Sequence, residues 1–119
     1  YDERREMLYF APNGTAPPPA TGFIATDLKV MINVSGTAAA PVRGVTMRGL
    51  TLRDTALTYL EPHGLPSGGD WALQRQGAIT LHGTEGTRIS SNLFSRLDGN
   101  AVFIGGYHRG LTIEDNEFF

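Results

Sequence analysis

The sequence predicts an all-β protein, a solenoid of short strands stacked coil upon coil. Three observations predict it. Ile89-Ser90-Ser91-Asn92-Leu93-Phe94 returns 24 residues later as Ile113-Glu114-Asp115-Asn116-Glu117-Phe118, each time an apolar residue, an Asn three later and a Phe two after that. A diverged copy, Met47-Arg48-Gly49-Leu50-Thr51-Leu52, precedes both and has Leu where the Asn would stand. Glycine makes up 15 of 119 residues, above the usual ~7 %, and the glycines punctuate short β-branched runs. A coil of this length cannot bury its inner face alone and does so by stacking on the next, and the chain has room for about three to four such coils.

Taken in order, residues 1–12 begin charged and continue Met7-Leu8-Tyr9-Phe10-Ala11-Pro12, a short strand stopped by Pro and the Asn13-Gly14 turn signal. With the Pro-rich connector at 13–22 this forms a first unit, residues 1–22, ahead of the coils at 23–119. Strand character starts at Phe23-Ile24 and resumes from Leu28 to Val34, where Ile32 and Val34 face inward and Asn33 outward. Ala38-Ala39-Ala40-Pro41 is a turn, and Val42 to Leu52 carries the next strand pair. The copies are 42 and then 24 residues apart, so 18 extra residues fall in a long Pro- and Gly-rich loop within 57–76. Insertions of this kind bulge from one turn of a solenoid and often carry function. Ile79 and Leu81 then face inward, with Val102 and Ile104 in the corresponding places one coil on. His82 and the segment Gly105–Gly110 read as turns, and residues 54–61 could pass locally for a helical turn. Phe118-Phe119 closes the set on an uncapped apolar edge, so we expect the coils to continue in a longer polypeptide.

Composition narrows the function. Net charge is −2 and the ten basic residues are scattered, which gives no electrostatic case for nucleic acid. There is no apolar run of about 18 residues and hence no membrane insertion by a helix. The absence of Cys excludes thiolate metal sites, cysteine catalysis and disulfides. No His and carboxylate set has the spacing of transition-metal ligands. No cofactor is expected, with calcium on the carboxylates left open.

Gly99-Asn100-Ala101-Val102-Phe103-Ile104 followed by Leu111-Thr112-Ile113-Glu114-Asp115-Asn116-Glu117-Phe118 resembles the right-handed parallel β-helix of the pectate-lyase-like superfamily. Tyr1-Asp2-Glu3, Met7 to Gly14 and Val45-Thr46-Met47-Arg48-Gly49-Leu50-Thr51-Leu52-Arg53-Asp54-Thr55-Ala56 are similar to β-helix proteins classed as glycoside hydrolases, in which a small β insertion precedes the coils. The resemblance covers nearly the whole chain and implies a fold and a carbohydrate ligand. It does not transfer a catalytic motif: the paired-Asp pattern of polygalacturonases and the calcium carboxylates of pectate lyases are both absent.

Chemistry-bearing residues collect in the loop and in two turns. The loop offers Glu61, His63, Asp70 and Trp71 alongside Tyr59, the aromatic faces and polar groups that a sugar site needs. The same loop could instead fold over the coils, with Trp71 plugging the core and Asp70 capping a turn. Asp98 precedes a strand, and Tyr107 and His108 follow it. Hydrolysis of a glycosidic bond uses two carboxyl groups, ~5.5 Å apart for retention and ~6.5–9.5 Å apart for inversion. Asp70 and Asp98 are the expected pair, with His63, Trp71, Tyr107 and His108 binding substrate. Turn chemistry alone also accounts for Asp98-Gly99-Asn100. Asn92 and Asn116 read as corner residues that satisfy turn backbone. Asn13-Gly14-Thr15 and Asn33-Val34-Ser35 are N-glycosylation acceptor patterns and point to a secreted or lumenal protein. The expected partner is a polysaccharide or glycan, cleaved by the protein. A non-catalytic carbohydrate-binding or structural solenoid within a larger assembly is the alternative.

Overall fold

The computed structural model describes residues 1–15, 17, 20, 22–58, 60–62 and 74–119, and among these there is no helix. The described strands are β1 (Ile32–Ser35), β2 (Val42–Arg43), β3 (Thr46–Arg48), β4 (Thr51–Arg53) and β5 (Gly77–Glu85), followed by β6 (Arg88–Ser90), β7 (Leu93–Ser95), β8 (Asn100–Arg109), β9 (Thr112–Glu114) and β10 (Glu117–Phe118). Every ladder between them is parallel. One sheet runs β3-β6-β9 and a second β4-β7-β10. In the third, β5 pairs with β1 and β2 along different stretches and with β8 on its other edge.

Each sheet therefore takes strands from the same three successive repeats, which lie as tiers. Met47, Ile89 and Ile113 are in register, as are Leu52, Phe94 and Phe118. Ile32, Ile79 and Val102 form another row, and Val34, Leu81 and Ile104 a fourth. The core consists of Met47, Leu52, Ala78, Ile79, Leu81, Ile89 and Phe94. The rings of Phe94 and Phe118 stack 4.9 Å apart and nearly parallel, at the spacing of neighbouring strands.

The short strands are separated by sharp corners. Positive φ recurs at residues 44, 49 and 54, at 86, 91 and 96, and at 110 and 115, so every fifth residue in these stretches bends the chain. Glycine holds four of these places. Asp54, Ser91, Arg96 and Asp115 hold the others, although the left-handed region is unfavourable by about 1–2 kcal/mol for residues with a Cβ. At the middle corner, Asn92 donates Nδ2–H to the Met47 carbonyl at 3.0 Å and its Oδ1 accepts the Leu50 N–H at 2.9 Å. Asn116 repeats the arrangement one tier on, with the Ile89 carbonyl at 2.9 Å and the Asn92 N–H at 3.0 Å. Each Asn thus serves the corner of the preceding repeat, which is why the first copy does without one.

Several expectations change, among them the strand read from Leu28 to Val34, which begins only at Ile32. Met7 makes one antiparallel bridge, to Asp2, and no strand follows it through Pro12. Phe23-Ile24 is not a strand either. Both segments have strand-like composition but no strand to pair with among the described residues, and Phe10 instead meets Phe23 edge to face at 5.0 Å. The segment Gly105–Gly110 is largely strand: β8 continues to Arg109, and its additional residue is absorbed where the register changes from His82↔Gly105 to Thr84↔His108. His82 accordingly lies within β5, half-buried against the Phe103 ring. Residues 54–58 and 60–62 are not helical.

Candidate functional site

His63, Asp70 and Trp71 lie outside the described residues, but both feet of the insertion that carries them are described. Gln74 donates to the Thr58 carbonyl at 2.7 Å and Gln76 to Glu61 at 3.0 Å. Glu61 is also paired with Lys29, whose ammonium is the main reason its carboxyl sits below the usual glutamate value. The feet meet the turn before β8. Asn100 donates to the Gln74 and Gln76 carbonyls at 2.9 and 3.0 Å, the Asp98 N–H donates to Thr55 Oγ1 at 3.0 Å, and the Thr58 N–H donates to the Asp98 carbonyl at 3.0 Å. Gly99 completes the corner, because a Cβ there would collide with the buried Thr58 hydroxyl. The backbone of Asp98 is thus fixed, while its exposed carboxylate makes no hydrogen bond or ion pair among the described residues.

Tyr107 and His108 stand at the opposite end of β8 from Asp98, so the turns flanking this strand do not form one site. The Tyr107 hydroxyl donates to Glu85 at 2.6 Å, and the other Glu85 oxygen accepts from Arg43 at 2.8 Å. The phenol and then the guanidinium hold Glu85 below its ordinary range, and the carboxylate in turn pushes the Tyr107 phenol up. His108 is held at both nitrogens, 2.9 Å from Thr84 Oγ1 and 2.9 Å from the Gly105 carbonyl. A carbonyl can only accept, so Nε2 carries the proton, and in the neutral ring the buried Thr84 hydroxyl donates to Nδ1.

A third feature escaped the sequence reading. Two adjoining cavities, about 380 and 320 Å³, open along the corner between the sheets β3-β6-β9 and β4-β7-β10. They share Ser91 and Asp115 and are flanked by Arg48, Arg88, Glu114 and Glu117. Arg88 is paired with Glu114, whereas Arg48, Asp115 and Glu117 form no ion pair among the described residues. Elsewhere Asp54 accepts a two-pronged contact from Arg96, at 2.7 and 3.0 Å, which holds its carboxyl below the ordinary value. The 42- and 24-residue offsets applied to polar residues would have found these columns: Arg43 lies beside Glu85 and Glu85 beside Arg109, and Arg48, Ser90 and Glu114 form a second row.

Asn33 is exposed on β1 and Asn13 is exposed ahead of the sheets. Among the described residues no group of three or more His, Asp or Glu is arranged to hold a metal ion. No described helix is long and apolar enough to cross a membrane. Comparison with protein-family models, curated proteins and solved structures finds no match to this chain.

Proposed function

We propose that this chain is the right-handed parallel β-helical part of an extracellular protein that hydrolyses a polysaccharide, and that it belongs with the pectate-lyase-like β-helices. The three parallel sheets, built in register from successive repeats, support the fold assignment. One observation carries the catalytic reading: Thr58, Gln74 and Gln76 at the feet of the insertion are bound to the same turn that holds the Asp98 carboxylate, which has no partner among the described residues. Asp98 is one of the two carboxyl groups a glycosidase requires and Asp70 is the other, with Trp71 and His63 as sugar contacts. Exposure of the Asn13 and Asn33 tripeptides supports the extracellular setting.

The second reading is a non-catalytic glycan-binding solenoid. The corner groove favours it, because polar residues of three tiers line one trough and Arg48, Asp115 and Glu117 have no ionic partner among the described residues. Release of reducing ends from a polysaccharide panel, with Asp98→Asn and Asp70→Asn beside the parent chain, tests the first reading. Turnover lost by both variants with glycan binding retained supports hydrolysis at that pair. Binding without turnover, abolished by Arg48→Ala and Asp115→Ala, supports the second reading, and absence of binding removes carbohydrate from both.

A further inference from the structure

On the outer face of the sheet that contains β1, β5 and β8, His82 of the second tier meets Phe103 of the third, with ring centroids 5.7 Å apart and planes tilted by 58°. Both rings lean over Gly105, which is in register with His82. A Cβ on Gly105 would stand 2.8 Å from His82 Cε1 and 2.9 Å from Phe103 Cε1. The next residue, Gly106, has φ +80 and sits where the register changes, so the bulge accounts for that glycine. Gly105 has no positive φ to account for it. A glycine inside a strand weakens it and marks a place where other atoms come close to the backbone. Here those atoms belong to the two rings, which the missing Cβ lets close into one shelf. Both side chains remain partly open to solvent.

The shelf also has a polar side. The His82 ring makes no hydrogen bond among the described residues, whereas His108 is held at both nitrogens. Ser35 is in register with His82 on β1 and is exposed. An apolar plane bordered by an unpartnered imidazole and a hydroxyl matches the two aspects of a pyranose, a C–H face and a rim of hydroxyls. The shelf shares a strand with the Asp98 turn, since Phe103 lies three residues beyond Asn100, about 10 Å along β8. We infer that His82 and Phe103 form a sugar subsite, which holds one pyranose unit of a bound glycan away from the Asp98 turn. The subsite rests on the reading of this chain as carbohydrate-active, and it adds to that reading two residues whose role is binding.

Affinity electrophoresis in gels containing xylan, mixed-linkage β-glucan, galactomannan or polygalacturonate tests the subsite, because retardation reports binding without turnover. The parent chain is retarded by at least one of the four. Gly105→Ala, whose methyl pushes the rings apart, and His82→Ala, which removes one of them, each weaken that binding at least about fivefold. Both keep the parental circular dichroism spectrum and urea midpoint. Parental binding by both variants overturns the subsite, as does a parent chain retarded in none of the gels. If release of reducing ends falls in Asp98→Asn while Gly105→Ala and His82→Ala bind as the parent does, the subsite is lost and hydrolysis stands. If both variants bind weakly and the parent releases no reducing ends, hydrolysis is lost and the subsite stands.

Discussion

Asn116 grips Asn92 twice, its Oδ1 accepting from the backbone N–H and from the side-chain Nδ2 of Asn92, each at 3.0 Å. Asn92 is buried and at the same time serves the corner of the first repeat. Asn92→Leu, which copies the natural residue at position 50, should therefore cost about 2–4 kcal/mol, as two backbone groups lose their partner. Asn116→Leu should cost about 1–2 kcal/mol, because its corner is only partly buried. Urea unfolding measures both. A loss below about 0.5 kcal/mol for Asn92→Leu would mean that water serves the corner equally well.

Acid sensitivity should trace to the Asp54–Arg96 pair. The native Asp54 carboxyl is held below the ordinary 3.8, first by its hydrogen bond to Arg96. Its contribution is complete above the unfolded value and disappears as pH falls through the lowered native one. Asp54→Asn should be less stable than the parent chain near neutrality, with the gap closing below pH 3.8. A gap that stays constant across that window in thermal melts would dismiss the pair as a source of acid sensitivity.

Gly83 and Gly99 are among the glycines at which a Cβ would collide with a neighbour. Gly83 has φ +55 and faces the Gly36 backbone so closely that a Cβ cannot fit, so Gly83→Ala should cost about 3 kcal/mol or more. Gly99→Ala collides only with the Thr58 side chain and should cost about 1–3 kcal/mol. Combining it with Thr58→Ala should give a smaller loss than the two single losses added together, the mark of shared space. Strict additivity in a double-mutant cycle would show that the clash is relieved elsewhere.

Thr87 is fully buried and its hydroxyl has no hydrogen-bond partner among the described residues. Thr87→Val replaces that hydroxyl with a methyl of similar shape and should stabilise by about 1 kcal/mol. A raised urea midpoint with an unchanged slope is the expected result. A lowered midpoint would reveal a partner for the hydroxyl in solution.

Register was legible because the inward residues repeat: aligning Met47, Ile89 and Ile113 by eye gives the ladders that form, and Ile79 meets Val102 as their spacing implies. The parallel all-β character follows from the same alignment. Strand ends were less legible. The Gly-rich stretch around Gly105 looks like a turn, but β5 provides an edge along which it continues to pair, so a neighbour decides what composition alone does not. Met7–Phe10 fails for the converse reason, as an apolar run with no strand to pair with among the described residues. Turn chemistry locates Asp98 and Asn100 at a corner, yet their bonds to Thr55, Thr58, Gln74 and Gln76 depend on residues 24 to 43 positions away. The separation of Tyr107 and His108 from Asp98 follows from the full length of β8, which the sequence divides too early.

Since the corners at Met47–Leu50 and Ile89–Asn92 are each fastened by the Asn of the following repeat, the structure has a direction in time as well as in space. On a ribosome, the bend at Met47–Leu50 stays unfastened until Asn92 emerges, 42 residues behind Leu50, and the next bend waits for Asn116. Consolidation would trail synthesis by one repeat, so the most recently emerged strands would be the least secured part of the nascent chain.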